Sequence, residues 1–276
     1  MHSFFSTSLF SIVKCVKSIP SWLLIYYHCD DIVGVYRCND IGGSMPDITL
    51  LHGSQKVIEV PSLLFSNDHN DYGRGFYCTD SEEMAREWAC KKGTDGFVNR
   101  YLLESDGLSV LNLSDGNYSV LNWIAILLKY RTFSLNSRME IEAKEYLIKN
   151  FYIEKSNYDL IIGYRADDSY FRFAESFLQN TLPLRSLARA LTLGKLGLQT
   201  VLVSEKAFSQ LRFSSATPVD GSEWYPRFLR RDTEARRTYK KEVSVAESVK
   251  GDLFMLDILR EEIGNDDPRV QRIVSG

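Results

Sequence analysis

The stretch from Ile48 to Trp88, ITLLHGSQKVIEVPSLLFSNDHNDYGRGFYCTDSEEMAREW, constrains the chain more than any other. Two short apolar runs each end in residues that a strand interior avoids. The first, Ile48 to Leu51, stops at His52-Gly53-Ser54; the second, Gly75 to Cys78, stops at Thr79-Asp80 and opens a helix. A glycine at a strand end lets backbone N–H and C=O groups approach a ligand with no Cβ in the way. His52 and Ser54 flank it with an imidazole and a hydroxyl, so that strand end offers both donors and acceptors. Asp80 as N-cap with Glu83 three residues on makes a capping box and places the helix start. From there Met84, Ala85, Trp88 and Ala89 share one face, which brings the Trp88 indole within reach of the Tyr77 ring. Two such aromatic planes make a slot for a flat heteroaromatic ring.

Four pieces stand along the chain: Leu-x-His-Gly-Ser at Leu50 to Ser54, Asp-aromatic-Gly-x-Gly-Phe-Tyr within Asp71 to Thr79, a Tyr-Asp-hydrophobic stretch from Tyr158 to Asp168, and Gln199 opening a late strand. Together they resemble the NAD⁺ site of the ADP-ribosyltransferase fold, in its poly-ADP-ribose-polymerase-like branch. More closely, the chain is similar to a bacterial family of uncharacterised, predicted ADP-ribosyltransferase-like proteins. The resemblance spans roughly Pro46 to Phe213. It implies an α+β fold: a split, strongly bent antiparallel sheet with helices around it and a helical C-terminal extension. It also implies NAD⁺-dependent ADP-ribosyl transfer by an intracellular, toxin-like enzyme of the cytoplasm. The acceptor would be an unidentified protein or nucleic acid, and a small antitoxin a possible partner.

The resemblance assigns roles residue by residue. His52 bonds the adenine-side ribose, Gly53 clamps the carboxamide through its backbone, and Tyr77 and Trp88 sandwich the nicotinamide through their ring faces. Gln199 contacts the nicotinamide-side ribose. Ser54, Arg74 and Thr79 are further candidate NAD⁺ contacts, Arg74 at the pyrophosphate. Two positions depart from the family pattern. Gln199 stands where the wider fold has an acid, and an amide cannot carry the charge that stabilises developing positive charge. Ala85 stands where the polymerase-like branch has a hydroxyl. The adjacent carboxylates Asp167 and Asp168, which follow the strand Tyr158 to Gly163, are the expected substitutes for that acid. Extended neighbours point to opposite sides, so at most one of them faces the site. An NAD⁺ glycohydrolase and a module that binds NAD⁺ or ADP-ribose without turnover are the alternative readings.

The remainder sets boundaries. A chain of 276 residues with 44% apolar and 25% charged residues is an ordinary globular composition, long enough for a substantial core. Five cysteines at irregular spacing make no disulfide framework and no zinc pattern, which points to a reducing compartment and no metal. Residues 1–44 are expected to be a leader outside the fold, with translation starting at Met45. Lys14, Lys17 and Pro20 interrupt their apolar run, so stable membrane insertion is not expected. The fold proper is placed at 45–215 and a helical extension at 216–276. Within that extension, Arg227 to Lys241 carries seven basic and two acidic residues, and Leu253, Phe254, Leu256, Leu259 and Ile263 form an apolar stripe.

Overall fold

The computed structural model describes residues 47–166, 168–193, 197–245 and 251–271. The expected leader, residues 1–44, lies outside the described residues, as does Met45. The strands are β1 (Ile48–Ser54), β2 (Phe76–Cys78), β3 (Gly96–Leu103), β4 (Val110–Asn112), β5 (Leu160–Tyr164), β6 (Leu198–Leu202) and β7 (Leu211–Val219). The longer helices are α1 (Glu82–Ala89), α2 (Val120–Tyr130), α3 (Arg138–Phe151), α4 (Asp168–Leu178) and α5 (Leu184–Leu193). After them come α6 (Glu205–Ser209), α7 (Gly221–Val245), α8 (Met255–Arg260) and α9 (Pro268–Gln271).

The architecture is α+β with two sheets. One is antiparallel in the order β1-β3-β7; the other runs β2-β6-β5-β4. Where one bent antiparallel sheet was expected there are two sheets, and the second is mixed, because β4 pairs parallel with β5. Parallel neighbours need a long crossover, and α2 and α3 supply it. A backbone bridge joins the sheets where the Leu51 and Thr79 amides and carbonyls exchange hydrogen bonds of 2.8 and 2.9 Å.

β1 is covered on both faces. Leu50 packs with Phe76, Tyr101 and Leu202 of the strands, while Leu51 on the opposite face packs with Ala85 and Ala89 of α1 and with Trp224 of α7. Consecutive buried leucines are the mark of a strand enclosed from both sides. The strand does not stop at His52 as its apolar run does; the ladder to β3 continues through Gly53↔Val98 and Ser54↔Phe97. A buried asparagine holds the chain as it leaves β1. Asn99 Oδ1 accepts from the Ile58 amide at 2.9 Å, and its Nδ2 lies 3.2 Å from the carbonyls of His52 and Lys56.

Local signals placed most elements. Ser137 caps α3 and Glu140 reaches back to the Ser137 amide at 2.7 Å, closing a capping box. The cap of α1 is Ser81, whose Oγ accepts from the Met84 amide at 3.3 Å, and not Asp80. The helical face is unchanged: Met84, Ala85 and Ala89 are buried. Trp123 belongs to the core, as its apolar setting in α2 predicts, and donates to the Tyr164 carbonyl at 3.0 Å.

The C-terminal elements complete this core. Met255, Ile258, Ile263 and Val270 pack in the same cluster as Trp123, Leu127 and Leu147. The buried face of α8 is set by Met255 and Ile258 in place of Phe254, Leu256 and Leu259 of the expected stripe. A boundary drawn at 215/216 falls inside β7. No helix among the described residues is long and apolar enough to cross a membrane.

Candidate functional site

The two sheets part beyond the Leu51–Thr79 bridge, and the candidate site lies there. Leu51 turns its N–H and C=O toward Thr79, away from β3. Strand alternation sends those of Gly53, two residues on, to the same side. A hollow of about 370 Å³ opens at this place, lined by His52 and Gly53 of β1, Tyr77 of β2, Trp88 of α1 and Gln199 of β6. Asn70, Asp71, Lys91, Arg131, Arg165 and Ala166 complete its wall.

Gly53 is required first by packing. A Cβ there would fall inside the Ala85 carbonyl oxygen and lie 2.7 Å from the Ala89 amide nitrogen. The glycine lets α1 lie directly on β1, and this close approach brings Trp88 to the hollow.

His52 is oriented by Nδ1, 2.7 Å from the Tyr77 carbonyl, with its ring 4.5 Å from that of Phe76. A carbonyl only accepts, so Nδ1 carries the proton and Nε2 of the neutral ring remains an acceptor. Burial depresses the His52 pKa; the Tyr77 carbonyl opposes the shift and Lys91 adds to it. The unfolded chain therefore binds the proton more readily than the folded one. The His52 contribution to stability is fully present above pH 6.5 and is lost progressively as pH falls below it. Asn at position 52 does not titrate and retains an amide donor. Urea denaturation on either side of pH 6.5 should show the stability gap between wild type and His52→Asn narrowing on the acid side. A gap independent of pH would show that His52 does not titrate on unfolding.

Tyr77 is fastened by its hydroxyl. It donates to the Gly73 carbonyl at 2.6 Å and accepts from the Tyr72 amide at 3.0 Å, pinning the loop before β2. The phenol thus has a structural task besides the ring face assigned to it. Tyr77 and Trp88 line the same hollow without ring contact, and the Arg165 guanidinium lies over the Trp88 ring at 5.1 Å. Trp88 Nε1 is buried with no hydrogen-bond partner.

Gln199 is only 2% exposed. Its Nε2 donates to Asp71 Oδ2 and to the Tyr164 carbonyl, each at 3.2 Å, which leaves Oε1 as the acceptor end of the amide. Asp71 Oδ2 also accepts from the Ala166 amide at 3.0 Å, and its Oδ1 lies 3.8 Å from an Arg131 guanidinium nitrogen. Burial raises the Asp71 pKa, against the opposing pull of the Ala166 amide, Arg131 and Gln199. Three cationic side chains, Lys91, Arg131 and Arg165, line the hollow with this one carboxylate, so its wall is net cationic.

Of the residues singled out in the sequence, His52, Gly53, Tyr77, Trp88 and Gln199 converge on this hollow. Others do not join them. Ser54 is spent on its own turn, bonding Lys56 and accepting from Asn99 Nδ2 at 3.2 Å. Thr79 is fully buried; its backbone makes the bridge to Leu51 and its Oγ1 accepts from the Ser81 amide at 3.1 Å. Arg74 pairs with Asp68 at 3.9 Å and lines a separate hollow with Tyr130 and Lys155. Asp167 lies outside the described residues, and so does the side chain of Asp168, which opens α4.

Asn70, Lys91 and Arg131 were not legible as site residues. Asp71 had a signal, since it heads the Asp-aromatic-Gly segment. Arg131 had none: it is the C-cap of α2, sixty residues along the chain from Asp71, and only folding makes them neighbours.

No curated protein and no solved structure matches the chain. One family model does, described as protein of unknown function (DUF3990), over residues 48–213.

Proposed function

The chain belongs to the DUF3990 family of proteins of unknown function, and on that premise we propose that it binds NAD⁺ in this hollow and transfers ADP-ribose from it. The observation that carries the reading is the convergence of His52, Gly53, Tyr77, Trp88 and Gln199, from four separate elements, on one net-cationic hollow. His52 Nε2 would accept from a hydroxyl of the adenine-side ribose, and the Gly53 amide and carbonyl would pair with the carboxamide. Tyr77 and Trp88 would bracket the nicotinamide. Arg131, Arg165 and Lys91 suit the pyrophosphate, a task first given to Arg74. The unpartnered Trp88 Nε1 is a further donor that a ligand oxygen would satisfy.

The same proposal extends to architecture and setting. Two sheets that touch at Leu51–Thr79 and then part are compatible with an ADP-ribosyltransferase-like split sheet. Modification of a protein or nucleic-acid acceptor in the cytoplasm, under control of a small antitoxin, is supported by the family resemblance alone. Binding without turnover is the second reading, favoured by an amide at Gln199 in place of a carboxylate.

The deciding experiment incubates the full chain with NAD⁺ and follows free nicotinamide, free ADP-ribose and labelled acceptor. Nicotinamide release with labelling upholds transfer, and release with only free ADP-ribose makes the protein a glycohydrolase. Binding with neither leaves the non-catalytic module. Trp88→Ala should weaken affinity for a non-hydrolysable NAD⁺ analogue by about 1–3 kcal/mol, the range for losing one aromatic wall. Calorimetry giving equal affinities would remove Trp88 from the binding site.

A further inference from the structure

The hollow contains a carboxylate to which the roles above give no task. Asp71 lies in the loop before β2, 8% exposed, with Oδ2 held by the Ala166 amide and by Gln199 Nε2 at 3.0 and 3.2 Å. The Gln199 amide group also donates to the Tyr164 carbonyl at 3.2 Å, so its nitrogen is engaged on both sides. An amide whose N–H is held by a carboxylate is polarised, with more negative charge on its oxygen. The effect is largest in a water-poor wall such as this one.

We propose that Asp71 and Gln199 work as one unit, in which the Asp71 carboxylate supplies the negative charge that Gln199 lacks and Gln199 Oε1 presents it to the nicotinamide-side ribose. The inference rests on the NAD⁺-cleaving reading and gives the site its missing acid. In that reaction the bond between ribose C1′ and the nicotinamide nitrogen breaks. The electron pair leaves with nicotinamide, and the ribose becomes positively charged. A nucleophile of the acceptor, or water, then bonds to C1′ and releases its proton to solvent. Charge near the ribose lowers the barrier only as the bond breaks, so the pair acts on turnover far more than on binding. Asp71 acts through Gln199 and is a positioning residue. It takes the place expected of Asp167 or Asp168.

A purely structural anchor and a charge donor predict different results. Asp71→Asn keeps an oxygen for the Ala166 amide and removes the charge. Combining it with Gln199→Glu returns one negative charge to the unit, one residue further on. In the full chain, Asp71→Asn should lower single-turnover NAD⁺ cleavage about 10²–10³-fold, with affinity for a non-hydrolysable analogue changed by less than about threefold. The double variant should recover to within about tenfold of wild type. Cleavage by Asp71→Asn at the wild-type rate overturns the proposal, and so does a folded double variant that stays as slow as Asp71→Asn. Should Asp71→Asn fail to fold, the double variant decides by itself: a near-wild-type rate upholds the exchange, and a deficit of about 100-fold or failure to fold overturns it. Wild type that cleaves no NAD⁺ refutes the functional reading and this inference with it. Wild type that cleaves while the variants behave otherwise refutes the inference alone.

Discussion

Gly53→Ala is expected to lower folding stability by about 3 kcal/mol or more, from the upper end of what overpacking costs. In an open strand the same change would gain about 0.5–1 kcal/mol, because alanine loses less conformational freedom on folding. Here the added carbon meets backbone and not flexible side chain: the Ala85 carbonyl, the Ala89 amide nitrogen at 2.7 Å and Trp88 Cβ at 2.8 Å. No rotamer change relieves that, so α1 must lift from β1, and Trp88 must leave the hollow with it. Gly264→Ala is the control, since a Cβ there has nothing within 4 Å. It should fall within about 0.5 kcal/mol of wild type. Chemical denaturation of both variants tests this. A Gly53→Ala protein as stable as the control would mean that α1 does not sit on β1 as described.

Gln199→Ala is expected to reduce NAD⁺ cleavage by about 10²–10³-fold, the usual cost of removing one group aimed at developing charge. The substitution also strips Asp71 Oδ2 and the Tyr164 carbonyl of a donor each. A stability loss of about 1–3 kcal/mol should accompany the kinetic one. The two effects are separable, because cleavage is measured per folded molecule, below the melting temperature of the variant. A folded Gln199→Ala protein with an undiminished rate would remove Gln199, and the unit it forms with Asp71, from the reaction.

The sequence by itself determined those elements whose signal is local. The capping box of Ser137 and Glu140 started α3, the apolar run from Val120 marked α2, and Ser204 capped α6 by accepting from the Ala207 amide. His52, Tyr77 and Gln199, which lie within β1, β2 and β6, were singled out through the family resemblance. β7 was not legible. Within LRFSSATPV only Val219 is buried, so the strand carries no alternating apolar pattern, and it exists because β3 offers a ladder along its whole length. Backbone hydrogen bonding is blind to side chains, and a sequence pattern does not record it.

Tertiary structure alone decided which polar residues share the hollow. Arg74, the cation singled out in the sequence, lines a separate hollow, and folding brings Asp71, Arg131 and Arg165 to this one. Gly53 shows the same division within one residue, since its presence could be read from the chain and its packing reason could not. A helix cap is settled by neighbours three or four residues apart, within the reach of one hydrogen bond along the chain. The ion pair of Asp71 with Arg131 and the bond of Asp71 to Gln199 join residues far apart in sequence. Such contacts form only after the sheets and helices have packed, and the burial that then surrounds them is what shifts the titration of His52 and Asp71.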